Sequence, residues 1–179
     1  MDILEERVIC ESPATITKER LYLDLAGRKR RWSYIERRGS LEAVVIAART
    51  RRTGSLLLIR QFRVPFGARL VELPAGLVDP GEDAEAAARR ELAEETGYAG
   101  EIAHVGPSVS SSAGLTTETF RMVDMVVEEE PTAPVERGGS EDIEVLLVRP
   151  EGARETLESF ARDGVLLDCK AYLVLRGMA

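Results

Sequence analysis

The chain has few cysteines, no long apolar run and no surplus of basic charge, and each shortage removes a class of protein. Cys10 and Cys169 are its only cysteines, far apart and in no metal-type spacing. That excludes a disulfide-stapled scaffold and fits a reducing compartment. No stretch approaches the roughly 20 apolar residues that cross a bilayer, so no membrane partner is expected. The N-terminal MDILEERVICE is acidic rather than signal-like, and the expected setting is the cytoplasm. The net charge of −7 argues against nucleic-acid binding through a basic surface. The run Arg28-Lys29-Arg30-Arg31 is a local exception, and in a net-acidic chain it reads as a solvated turn. What remains is a globular composition, 44% hydrophobic and 31% charged. A chain of 179 residues can close one domain with a good core and carry a small N-terminal piece.

No internal repeat is visible. Residues 1–40 are polar and mixed. Arg20 to Leu25 alternates as an exposed strand does, Ala26-Gly27 marks a turn, and Lys29 to Arg37 reads as the returning strand. The expected product is a β-hairpin with little core of its own, at residues 1–40, ahead of a main domain at 41–179. Leu41 to Ala48, Ser55 to Ile59 and Leu70 to Leu73 are short β-rich runs. A helical stretch follows Pro80-Gly81 and stops at Gly97, the natural cap. Glu101 to Val109, Thr119 to Val127 and Ile143 to Val148 read as strands. Glu128 to Glu141 reads as an acidic loop, and Glu151 to Arg162 and Leu166 to Leu175 as helices. Strands, one helix, strands, then helices describe an α/β protein with a mixed sheet.

Gly76 to Tyr98 is the most informative stretch: GLVDPGEDAEAAARRELAEETGY. Glu91 and Glu95 are four apart, so on a helix their carboxylates project from one face, where like charges repel. A Glu-rich helix is by default a solvated surface. A cluster of carboxylates held together against that repulsion is also what a hard divalent cation takes as ligands, with positions left for water and phosphate.

The spacing is Gly76, five residues, Glu82, seven residues, Arg90-Glu91, the aliphatic Leu92, one residue, Glu94-Glu95, one residue, Gly97. This resembles the Nudix box at every defined position, with Tyr98 where an aliphatic residue is usual. The resemblance implies an α/β/α sandwich with a mixed sheet, and hydrolysis of a diphosphate linked to another moiety, with Mg²⁺ as cofactor and Mn²⁺ able to substitute. It makes Glu91 and Glu95 metal ligands, with Glu94 an additional or water-mediated ligand that also serves catalysis. The carbonyl of Ala75 is a further metal ligand. Arg90 and Glu82 become supporting residues. Gly76 allows a close backbone approach, Leu92 and the alanines at 86 to 88 belong to the core, and Gly97 caps the helix.

The resemblance extends over residues 18 to 178. Gln61-Phe62-Arg63, Leu73-Pro74-Ala75-Gly76 and the segment from Tyr22 to Arg37 are similar to the ADP-ribose (ADP-sugar) pyrophosphatase branch. That branch implies a nucleotide-sugar substrate and a homodimer whose N-terminal strands help build the partner's site. Trp32 would stack on the base, while Arg37 and Arg63 contact the substrate, in keeping with flat apolar faces for bases and guanidinium for phosphate. Without the resemblance a lone Trp reads as a core or interface residue, and His104 reads as structural. The branch also implies a late acid on a loop. Glu141 matches best, and Asp142 and Glu144 compete. One departure stands out: Ala113 occupies the place of a usual proline, sixteen residues after Gly97. The branch makes ADP-ribose the first expected substrate, and that departure makes GDP-mannose or UDP-glucose the alternative. A Nudix ligand-sensing module is the reading from another class, and the intact carboxylate set argues against it.

Overall fold

The computed structural model describes residues 1–39, 42–132 and 142–179. Its first three strands form a sheet of their own, antiparallel in the order β1-β2-β3: β1 (Ile3–Glu11), β2 (Thr15–Leu23) and β3 (Lys29–Arg37). The expected hairpin is β2 and β3, and β1 adds a third strand to it. The added β1 shifts register against β2 between Ile3 and Glu5 and again between Val8 and Cys10. Such irregularities destroy the period-two pattern by which a strand is read from sequence. Every residue of β1 is exposed, so no apolar face marks it either.

Cross-strand polar contacts hold this sheet where apolar burial is scarce. The buried Tyr34 hydroxyl donates to Glu6 Oε2 at 2.6 Å, Arg20 Nε donates to the same oxygen at 2.7 Å, and the Arg20 guanidinium lies 4.9 Å from the Tyr34 ring centre. The Tyr34 hydroxyl first, then Arg20 and Lys18, pull the Glu6 carboxyl from its ordinary 4.5 to about 2. Between those values the unfolded chain binds the proton that the folded chain refuses. Stability from this group is therefore complete above pH 4.5 and is lost as pH falls toward 2. Glu6→Gln should flatten the acid limb of the melting temperature in that window, as followed by circular dichroism. An unchanged limb would remove Glu6 from the acid response.

The second sheet is mixed. It comprises β4 (Glu42–Thr50), β5 (Leu56–Arg63), β6 (Ala68–Glu72), β7 (Ala75–Leu77), β8 (Gly100–Ser110), β9 (Thr119–Val127), β10 (Ile143–Val148) and β11 (Leu166–Leu167). The order is β11-β6-β5-β4-β9-β8, with β10 on β5 and β7 on β4. β4 runs parallel to β9, and β11 parallel to β6, while the remaining pairs are antiparallel. β4 and β5 are buried on both faces, which explains their nearly unbroken apolar runs. Val44, Ile46 and Leu57 pack toward α1 (Ala84–Thr96). Val45, Leu56 and Leu58 pack toward α3 (Cys169–Met178), beside residues of α2 (Ala153–Arg162). Helices on both faces of a mixed sheet make the expected α/β/α sandwich.

Two local expectations are corrected. Leu166 and Leu167 are strand rather than helix, paired with Leu70 and Val71. The helix starts after them because Asp168 caps it, accepting from Lys170 N at 2.9 Å. Ala86 is exposed in the first turn of α1, and only Ala87 and Ala88 reach the core. His104 is exposed on β8, opposite Asp124. The two sheets meet through β3 and the segment 111–118. Ile35 N donates to Leu115 O at 2.8 Å, and Thr117 N donates to Ile35 O at 3.2 Å. Among the described residues no helix is long and apolar enough to cross a membrane.

Candidate active site

α1 is fixed at both ends. Asp83 Oδ1 accepts from Ala86 N at 2.8 Å, and Gly97 closes the helix with φ 74°. Leu92 buries fully against the sheet and so fixes the helix rotation. On that rotation Glu91 and Glu95 both face β7. The Ala75 amide donates to Glu95 Oε2 at 3.0 Å, and Glu95 is only 8% exposed. At Gly76 a Cβ atom would overlap the Glu91 carboxylate carbon and both its oxygens. The missing side chain is thus the space that Glu91 fills.

Arg90 is the hub of the remaining charges. It donates to Glu82 at 3.2 and 2.9 Å, to Glu91 Oε1 at 2.7 Å, to Glu94 Oε2 at 3.3 Å and to the Leu77 carbonyl at 3.0 Å. Glu82 first and Glu91 next hold its guanidinium above the usual arginine value, and Arg90 holds the Glu82 carboxyl below the usual range. The arginine ties α1 to β7 and offsets part of the repulsion among the glutamates.

These groups form one wall of a cleft of about 680 Å³. Glu94, Glu95, Glu91, Ala75 and Gly76 line it, and so do Arg37 and Arg63. Arg63 makes a two-pronged contact with Glu72 through Nε at 2.7 Å and a terminal nitrogen at 2.8 Å. The nearly buried Glu72 raises the Arg63 pKa and fixes the guanidinium plane, leaving donors for the cleft. Arg37 is aimed by Glu118 at 3.1 Å. Sequence reasoning missed Glu72, Phe120 and Lys170, which also line the cleft. Glu72 carries the one readable signal, a carboxylate at the end of β6 between the apolar Val71 and Leu73.

Trp32 is not in this cleft. Its indole N–H donates to Gly114 O at 3.0 Å, and its half-exposed ring borders a separate pocket of about 380 Å³ with Tyr22, Tyr34 and Ala113. Glu141 lies outside the described residues. Asp142 contacts Arg69, and Glu144 sits in β10 within 3.9 Å of Arg60; neither lines the cleft.

The donor set suits a hard divalent cation. Among the described residues no three His, Cys, Asp or Glu side chains form a ready-made cage. Mg²⁺ does not require one, since it is commonly held by one or two carboxylates, with waters and substrate phosphates completing its shell. Two carboxylates brought against a backbone turn, one in the space left by a glycine, match that demand.

A model of the NUDIX domain matches residues 40–167. The chain is 30% identical to the ADP-sugar pyrophosphatase of Mus musculus, in a match covering 95% of this chain and 84% of the mouse protein. It is likewise 30% identical to the ADP-ribose pyrophosphatase of Saccharomyces cerevisiae, over 88% of this chain and 74% of the yeast protein. The crystal structure of an ADP compounds hydrolase resembles it with a TM-score of 0.69 at 23% identity, covering 88% of this chain and 82% of that one. At that identity the likeness speaks for the fold. The domain match and the mouse relative each span most of the sequence, so the chain belongs to the Nudix hydrolase family.

Proposed function

We propose that this protein is a Mg²⁺-dependent pyrophosphatase of nucleoside diphosphate sugars, with ADP-ribose as first substrate and AMP and ribose 5-phosphate as products. The observation that carries the proposal is the meeting of Glu91 and Glu95 with the β7 backbone, in a cleft where Arg63 is already oriented. The ADP-sugar and ADP-ribose pyrophosphatases among its relatives support the substrate class.

Glu91, Glu95 and the Ala75 carbonyl would hold the cation, with Glu94 near enough to join directly or through water. When bound, Mg²⁺ supplies charge neutralisation at phosphate oxygens and lowers the pKa of a bound water. Arg63 and Arg37 would grip the diphosphate, Arg63 with a plane preset by Glu72. Glu141 is kept as the proposed late acid.

The reading extends to a homodimer. Trp32 borders a pocket apart from its own chain's cleft. Base stacking by Trp32 in a partner's site would account for a half-exposed indole beside Tyr22 and Tyr34. Losing one base stack costs on the order of 1–3 kcal/mol. Trp32→Ala should therefore raise the Michaelis constant for ADP-ribose about tenfold or more, with a smaller loss of turnover. Light scattering should give a dimer at micromolar concentration, and a fully active monomer would refute this part.

The deciding experiment is phosphate release through a coupled phosphatase, with ADP-ribose, GDP-mannose and UDP-glucose, with and without Mg²⁺. Metal-dependent cleavage of ADP-ribose above the others is the expected result. Efficient cleavage of GDP-mannose or UDP-glucose with negligible ADP-ribose cleavage overturns the substrate. Ala113 motivates that arm, since it borders the Trp32 pocket where the branch carries proline. Binding of a nucleotide sugar without cleavage of any would favour a ligand-sensing module.

A further inference from the structure

Lys170 is a cation in the cleft that the proposed chemistry leaves unused. It stands in the first turn of α3, which packs on the opposite face of the main sheet from α1. A cleft lined by residues of both helices spans the thickness of the sheet. Arg63 lines the same cleft. A diphosphate gripped by Arg63 beside the α1 glutamates would leave one of its substituents to reach Lys170 in that cleft.

The surroundings of Lys170 say what that substituent is. Its ammonium donates to Asp168 Oδ2 at 2.8 Å and lies 5.4 Å from the Phe120 ring centre. Asp168 is itself fixed, because Oδ1 accepts from Lys170 N at 2.9 Å. One of three ammonium donors is thereby used and its charge compensated, leaving donors toward the cleft. A compensated ammonium with an aromatic face and a carboxylate beside it offers little to a further phosphate. It offers donor, acceptor and apolar contact to a neutral, hydroxyl-bearing ring.

We propose that Lys170, held by Asp168 over Phe120, contacts the sugar of the nucleoside diphosphate sugar and sets which sugar is preferred. The inference rests on the pyrophosphatase reading above. Sites built to hydrogen-bond a hydroxyl discriminate strongly against sugars that misplace it. Met keeps the unbranched stem over Phe120 and removes the ammonium, so Lys170→Met isolates the donor.

The test measures kcat and KM for two series. In one the sugar varies on a constant base: ADP-ribose, ADP-glucose and ADP-mannose. In the other the base varies on a constant sugar: ADP-glucose, GDP-glucose and UDP-glucose. Lys170→Met should raise KM for the preferred sugar about tenfold and compress the sugar series. It should leave ratios in the base series unchanged, with an unaltered melting temperature, and Lys170→Arg should restore part of the preference. An equal loss on every substrate would assign Lys170 to the diphosphate and overturn the proposal, as would unchanged ratios or a change confined to the base series. If the native protein cleaves no member of either series, the pyrophosphatase reading fails first and takes this inference with it.

Discussion

Glu95→Gln should reduce turnover by about two to three orders of magnitude at saturating Mg²⁺ and leave the protein as stable as before, or more so. Both halves follow from the same contact. Glu95 is 8% exposed and accepts from the Ala75 amide at 3.0 Å. A glutamine oxygen can accept that hydrogen bond equally well, so the local geometry survives. The negative charge disappears, and with it the cost of holding an ion away from water. The gain in stability is bought with the electrostatics that the diphosphate chemistry requires, where losing one well-placed charged group costs this much. A second readout separates metal binding from structure. Mg²⁺ should raise the melting temperature of the native protein by mass action and raise that of the variant much less. Near-normal turnover with an unchanged response to Mg²⁺ would remove Glu95 from the site.

How much of this was legible beforehand depended on how local the information was. Glu91, Glu94, Glu95 and Arg90 lie within two turns of one helix, so their spacing alone sets them near one another. Asp83 and Gly97 cap that helix through the residues beside them. The α/β class was legible from the order of strand-like and helical runs, and the sandwich through the resemblance of the box, while β4 and β5 proved to be buried on both faces. β1 was not legible, since its register shifts erase the alternation that identifies a strand. Nor was β11, two residues long and defined only by pairing with Leu70 and Val71. The Arg63–Glu72 contact needs β5 and β6 to be paired before it can be seen. Lys170 reaches the cleft from the far face of the sheet, and nothing in Asp168-Cys169-Lys170 marks it as more than the start of a helix. Trp32 differs again. Its type drew attention, yet within one chain it faces a pocket separate from the glutamates, so its proposed role depends on a second copy.

Gly76→Ala should separate fold from function most sharply, because the added methyl meets nothing but a side-chain end. The three heavy atoms nearest to its Cβ would be the carboxylate carbon and both oxygens of Glu91. Gly76 does not occupy the left-handed region, so alanine strains no backbone dihedral there. Glu91 can swing aside by changing rotamer, which costs on the order of 1 kcal/mol, and the melting temperature should move by only a few degrees. The carboxylate then leaves its place beside β7 and its 2.7 Å contact with Arg90. A displacement of about 1 Å in a positioned group can cost on the order of a hundredfold in rate, and that is the loss expected in kcat/KM. The cause can be checked by a double-mutant cycle. If Gly76→Ala acts by evicting Glu91, adding it to Glu91→Gln should cost little more than Glu91→Gln alone. Additive losses would mean that the methyl group damages something other than Glu91. Nearly native activity in Gly76→Ala would show that the space under the glycine is not where Glu91 works.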